Sequence, residues 1–420
     1  MRARLGAWAV VGACLLGLAR PATAQEDPFD RIDDQLTFGG WNDTVRARLS
    51  GTLDLEGYYL DQPATGVLYS EGNTLFNPRL SLFLDAQVGS HLYAFAEARA
   101  DNGFDPGEGG PKVRLDEYLV RYTPRRSGAF NLQVGKFATM VGNWTPRHGS
   151  WDDPFITAPL PYENLTGIWD TNAAHSVDEL LAWAGVQPRP SRGGAFLEEY
   201  RNLPVLWGPS YGSGAAVFGQ LGRFEYSLEE KNTSLSSRPG TWAPTETQWD
   251  HPTFSGRLAY LPDQMWTLGF SASAGTYLQP EAAPTLAPGR GLDQYLEVVF
   301  GQDLSFAWHH LQVWAEVYEA RFEIPRVGNA DTQAYYVEVK YKFSPQFFGA
   351  LRWNQQLFST LVDSAGQAVR WSRDVARLDL GPGYRLTPHL QVKLQYSLEH
   401  QQADLQQWGQ MLAVQLTARF

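Results

Sequence analysis

One cysteine, Cys14, occurs in 420 residues. No intramolecular disulfide can form, so backbone pairing and packing must hold the fold. Positive charge is also scarce: 34 Lys and Arg stand against 45 Asp and Glu, a formal net charge of −11. That balance argues against a nucleic-acid partner. Beyond the first two dozen residues, no apolar run reaches the roughly 20 that a membrane helix needs. Zinc-, haem- and phosphate-loop spacings are missing as well, and no cofactor or metal is expected.

What is abundant is aromatic: 15 Trp, 19 Tyr and 22 Phe. The first residues read as a secretory leader, with Arg2 and Arg4, an apolar stretch from Leu5 to Leu18, and Ala22-Thr23-Ala24 as an A-x-A cleavage site. The expected domains are a signal peptide at 1–24, a periplasmic lead-in at 25–43 and a barrel at 44–420. Cleavage takes away Cys14 and Arg2, Arg4 and Arg20, leaving a cysteine-free chain of charge −14.

From residue 45 onward the chain alternates. Val45, Ala47, Leu49, Leu53 and Leu55 share one parity; Arg46, Arg48, Asp54 and Glu56 share the other. Near 79–88, Leu80, Leu82 and Leu84 oppose Arg79 and Asp85; then Ala94, Ala96 and Ala98 oppose Glu97 and Arg99. A period of two marks strands with unlike faces. Sixteen such segments are expected, the last being 408–420. Several exceed the usual five to six residues or so, and a tilted strand needs roughly 9–11 to cross a bilayer.

The connections alternate short and long. Tight turns are expected near Gly89, Pro124, Gly222, Pro262, Ala307 to His309, Pro345 and Pro388, flanked by Tyr122, Tyr260, Trp266, Phe343, Phe347 and Tyr384. Aromatic girdles of this kind mark a membrane interface. The fold class is thus all-β: a transmembrane antiparallel up-and-down barrel of about sixteen strands. Strands 1 and 16 must pair, because an open edge in hydrocarbon would leave backbone groups unbonded at several kcal/mol each. Phe420 then ends the closing strand.

By parity, Arg46, Arg48, Arg79, Arg99, Arg121, Arg257, Arg352, Arg377 and Lys393 point inward as basic pore-lining residues. Asp54, Asp85, Glu97, Glu117, Glu297, Glu316 and Asp379 are their acidic counterparts. On the lipid face near the midplane each basic group would cost roughly 2–4 kcal/mol. The early arginines form a candidate anion-attracting ladder. Loop 3, expected at 141–210, is far longer than ordinary connections, which points to function. It carries Arg147, Asp152 and Asp153 as candidate constriction residues, and "SVDELLAWAG" reads as a capped helix. Its position, as a lid or inside the lumen, stays open. The G-x-S-x-G match at Ser210 precedes an alternating strand, not the helix a hydrolase elbow requires. His148 with Asp152 and Asp153, and the pair His309-His310, are weak metal candidates.

"VRLDEYLVRYTP" followed by "LQVGKFATMVGNW", and then "GAAVFGQLGRFEYSLEEKN", is similar to the hairpins around the third loop of phosphate-selective porins. The resemblance implies a sixteen-stranded, usually homotrimeric channel in the bacterial outer membrane, in contact with its lipid and passing small hydrophilic solutes, phosphate-like anions included. It also implies an assembly signal at Phe420. A lysine-rich stretch on loop 3 is missing. Two alternatives are a barrel sheath around an electron-carrying cytochrome and an outer-membrane lipid hydrolase acting through Ser210.

Overall fold

The computed structural model describes residues 35–420 except 41–43, 62–65, 69, 71, 102–111, 126, 186–201, 239–251 and 403–407. The expected leader and part of the lead-in lie outside the described residues. Sixteen long antiparallel strands follow: β1 (Val45–Leu60), β2 (Thr74–Val88), β3 (Leu92–Asp101), β4 (Lys112–Tyr122), β5 (Asn131–Phe137), β6 (Gly212–Leu221), β7 (Phe224–Lys231) and β8 (Thr253–Tyr260). The second half is β9 (Trp266–Thr276), β10 (Leu296–Trp308), β11 (Leu311–Ile324), β12 (Gly328–Lys342), β13 (Phe347–Phe358), β14 (Val375–Arg385), β15 (Leu390–Gln401) and β16 (Trp408–Arg419). Each pairs with the next, and β16 returns to β1 from Met411↔Leu60 to Arg419↔Thr52. The sheet therefore closes into a barrel.

The two faces differ as the alternation requires. Leu351, Trp353, Leu380 and Leu394 are exposed on the outside, while Arg352, Asp379 and Lys393 between and beside them are buried inside. A continuous apolar exterior is stable only against lipid. Among the described residues no helix is long and apolar enough to cross a membrane; the crossing elements are strands. Aromatic pairs crowd the short-turn end, including Phe224–Tyr260 at 5.2 Å and Phe343–Phe347 at 5.4 Å between ring centroids.

The seam holds a part that alternation did not reveal. β1 extends below the end of β16, and Thr37–Gly40 of the lead-in pairs with this surplus, from Thr37↔Arg48 to Gly40↔Val45. Leu49 N–H donates to Leu36 O at 2.9 Å. Just above, Gly51 and Phe420 exchange two backbone bonds of 2.9 and 3.0 Å. The lead-in thus continues the closing strand where the C-terminus stops.

Some boundaries differ from the alternation. At the long-loop end, the connection between β11 and β12 is only residues 325–327, because the two strands stay paired up to Ile324↔Gly328. The hairpin top carries Pro325 and a polar run, and Arg321 and Asp331 pair there half-exposed. There the apolar parity reverses: Arg321 and Asp331 stand half-exposed on the outer face, while Phe322, Ile324 and Ala330 pack inward among the long loops, and the ladder continues. The turn expected at Ala307 to His309 falls at His309-His310, with His309 at φ 50°.

Closure gives a direct expectation. An added Cβ on Gly51 would lie 2.6 Å from the Phe420 ring and 2.9 Å from Ser81 O. Gly51→Ala is expected to destabilise the folded barrel by about 1–3 kcal/mol, measured by urea unfolding in lipid vesicles. Unchanged stability would mean that the seam is loosely packed.

Candidate functional site

Loop 3 runs from Ala138 to Tyr211, and its segment 139–164 packs inside the barrel. Its entry is made possible by Gly142, which sits at φ +76°, where a Cβ would overlap the Tyr318 hydroxyl. The next two backbone N–H groups, of Asn143 and Trp144, both donate to Glu316, and the Tyr162 hydroxyl donates to its other oxygen at 2.7 Å. Arg147 then reaches Glu338 and the Tyr336 hydroxyl, and lies 4.4 Å over the Trp314 ring.

Further along, the wall donates to loop carbonyls. Lys393 Nζ bonds the carbonyl oxygens of Asp153 and Phe155, both at 2.9 Å. Gln395 Oε1 accepts from the N–H groups of Ile156 and Thr157 at 2.7 and 3.1 Å. Arg352 bonds Thr157 O at 2.9 Å and Asp379 at 2.9 Å. Arg377 is paired with loop residue Glu163 and, at 3.2 Å, with Asp379. These guanidinium groups and carboxylates are almost fully desolvated, and charges so buried persist only when paired.

The wall from β11 to β15 is therefore dry. Arg352, Arg377, Lys393, Glu316 and Asp379 point inward as alternation requires, but they hold loop 3 and do not meet a pore. Glu297 on β10 is likewise covered: the backbone N–H and the hydroxyl of Ser236 both bond to it. Parity distinguishes inside from outside; it does not distinguish wet from dry.

The opposite side stays open. A cavity of about 940 Å³ lies between the wall β1–β8 and the face of loop 3. Its lining reaches Gly128 and Gln220 near the short turns and Val67, Leu68 and Asp101 near the long loops. Arg79, Arg99, Arg121, Arg257, Asp54, Glu97 and Glu117 line it, with Asp152 and Asp153 on the loop side. Arg121 donates to Gln133 at 2.8 Å and lies over the rings of Tyr93 and Phe218. Asp85 accepts from the Tyr93 hydroxyl. Arg46 and Arg48 are exposed on β1 beside the lead-in, outside this lining. Of the three loop candidates, Asp152 is exposed, Asp153 accepts from Trp144 Nε1 at 2.9 Å, and Arg147 is held against the far wall.

Two inward residues escaped the alternation: Arg114, which lines the cavity, and Asp116 beside it. At β3–β4 the pairing passes from Glu97↔Glu117 to Ala98↔Leu115, leaving Asp116 as a bulge. The extra residue shifts parity, so Arg114, Asp116 and Glu117 all turn inward. Two charged residues flanking Leu115 in "VRLDEY" are the only trace in the sequence.

Above the barrel the long loops share an apolar core. Ile168, Leu180, Leu203 and Trp207 pack with Tyr277, Leu286, Phe322, Phe358 and Trp371. The expected helix is present at Val177–Gly185, with Glu179 N–H donating to Ser176 Oγ and His175 N–H to Glu179. Burial there pushes the Asp170 carboxyl up to about 6. Lower in loop 3, burial pushes the His148 imidazole down; it bonds Thr145 O and the Tyr211 hydroxyl. Among the described residues no three His, Cys, Asp or Glu side chains gather as a metal-ligand set. Ser210 is buried at φ 51° and is followed by β6, a strand where a nucleophile elbow needs a helix.

A closed antiparallel barrel of sixteen strands with an apolar exterior is the fold of bacterial outer-membrane porins. Solved structures share that fold. The outer-membrane channel DcaP of Acinetobacter baumannii superposes with a TM-score of 0.58 at 11% identity, over 91% of this chain and 99% of that one. The anion-selective porin from Comamonas acidovorans gives 0.56 at 11% identity, over 90% and 100%. The trimer form of OmpT, an outer-membrane protein of Vibrio cholerae, gives 0.51 at 9% identity, over 90% and 100%. No protein-family model matches the chain, and no curated relative does.

The anchoring network predicts a contrast between two arginines. Arg377→Ala strips buried Glu163 of its cationic partner and leaves Asp379 with Arg352 alone, and losses of this kind cost about 3–5 kcal/mol. Loop 3 is expected to loosen, seen as faster proteolysis within 141–210 and a larger single-channel conductance. Arg321→Ala removes an exposed pair worth about 1 kcal/mol or less and is expected to change neither. Equal behaviour of the two variants would contradict the anchoring role.

Proposed function

We propose that this protein is a passive outer-membrane porin for small hydrophilic solutes, exported with residues 1–24 removed and assembled as a homotrimer. The observation that carries the reading is the half-open lumen: loop 3 fills one side and leaves a charged cavity along the other from the short turns to the long loops. Charged groups facing such a passage remain hydrated, and its width limits what passes. The trimer rests on the fold and on the OmpT trimer form. Phosphate or general anion preference is not part of this reading, because two of the arginines that suggested it, Arg79 and Arg99, are paired with carboxylates, and Arg46 and Arg48 lie outside the cavity lining.

Neither alternative gains an observation in its favour. A cytochrome sheath needs an empty bore, and loop 3 occupies half of this one. A lipid hydrolase needs an exposed nucleophile with a base, and Ser210 is buried.

Purified protein reconstituted in planar bilayers is expected to give discrete, ohmic conductance steps, arriving in groups of three equal levels. Liposomes carrying it are expected to swell in small sugars and not in large ones. Membranes that stay silent with correctly folded protein would rule out the porin, and single isolated steps would rule out the trimer.

A further inference from the structure

We infer that the open passage favours cations over anions. The inference rests on the porin reading above and names the class of solute that its lining accepts. The starting point is the arginine ladder: its cavity-lining members Arg79 and Arg99, and the neighbouring Arg114, are each committed to carboxylates, while Arg121 is held by Gln133 and two aromatic rings and Arg46 and Arg48 lie outside the lining. Arg79 is shared between Asp54 at 3.2 Å and Glu56 at 2.6 Å. Arg99 is shared between Glu97 at 3.0 Å and Asp116 at 3.1 Å. Arg114 is shared between Asp101 at 2.6 Å and Asp116 at 2.7 Å.

Each guanidinium thus meets two carboxylates, and only Asp116 is used twice. The Arg79 group is left with one uncompensated negative charge. The Arg99 and Arg114 group holds three acids, with Lys136 also acting on Asp116. Arg257 is matched by Asp303 at 2.6 Å. Nine carboxylates and five guanidinium groups line the cavity; Glu163 is matched from outside it by Arg377 and Arg257 by Asp303, which leaves eight acids against four guanidinium groups. Glu225 on β7 and Asp152 on loop 3 add acid from two further directions, and Asp152 is exposed.

A second observation points the same way. Asn77 and Gln415 line the cavity beside Glu56, and each donates its amide N–H to that carboxylate, at 3.2 and 2.7 Å. Both side chains are more than nine-tenths buried. Asn77 Oδ1 and Gln415 Oε1 have no hydrogen-bond partner among the described residues. Two more acceptor dipoles therefore stand next to a carboxylate pair whose one cationic partner is Arg79. Such a wall is rich in acceptors and short of donors. It favours a solute that brings its own donors and positive charge: a hydrated alkali cation, an ammonium or a guanidinium. Rings of acidic side chains in a narrow aqueous path act on ions in this way, and low-dielectric walls strengthen the effect.

The test is the reversal potential of the reconstituted full mature protein in a tenfold KCl gradient. The expected sign is that of a potassium-preferring channel, by a factor on the order of threefold. Asp152→Asn combined with Glu225→Gln removes charge without touching the arginine clusters, and is expected to move the reversal potential toward zero. Conductance with a chloride-preferring potential overturns this inference and leaves the porin intact. A potassium preference that the double variant does not change assigns selectivity elsewhere and also overturns it. No conductance at all overturns both readings.

Discussion

A peptide backbone in hydrocarbon has no water to bond, so every strand edge must find a partner. That constraint organises this molecule. β16 pairs with β1, Phe420 exchanges backbone bonds with Gly51, and where the C-terminus ends Thr37–Gly40 takes over the remaining edge. Once the sheet is closed, its two faces meet different surroundings. Alternation along each strand then decides which side chains see lipid and which see the interior.

The interior is not uniform. Charges on the wall from β11 to β15 hold the inserted loop: Glu316 accepts three donors from it, and Lys393 donates to two of its carbonyls. Charges on the wall from β1 to β8 face the remaining space. The same sequence feature, a charged residue at an inward position, thus serves as a fastening on one side and as lining on the other. The difference is made by loop 3. Its irregular backbone can lie in the lumen because wall side chains complete its hydrogen bonds, as the cost of buried unpaired polar groups requires.

Much of the architecture was legible in the sequence. Strand number, the order of short and long connections, the closing role of the last strand and the capped helix in loop 3 all follow from two-residue alternation, turn chemistry and a Ser-x-x-Glu signal. What was not legible has specific causes. The bulge at Asp116 breaks parity, so Arg114 and Asp116 were assigned to no face. At the top of the β11–β12 hairpin the apolar residues Phe322, Ile324 and Ala330 face inward, so the parity reads opposite to the lipid-facing part of the strands. Thr37–Gly40 is too short to show a period. The side on which loop 3 lies depends on contacts such as Arg377 with Glu163, which are 214 residues apart, and no local pattern encodes them. For the same reason Arg352 and Arg79 look alike in sequence, although one is dry and the other faces the cavity.

The most direct measurement of this picture is single-cysteine accessibility in the mature chain, which the removal of Cys14 would leave free of native thiols. A membrane-impermeant maleimide is expected to label cysteines placed at Thr52 and Glu225, on the open wall. It is expected to spare Asn354 and Gln356, beneath loop 3, and Leu84 and Leu351, on the lipid face. Equal labelling of positions 52 and 354 would contradict the half-filled lumen, and labelling at 84 and 351 would contradict the barrel's orientation of its faces.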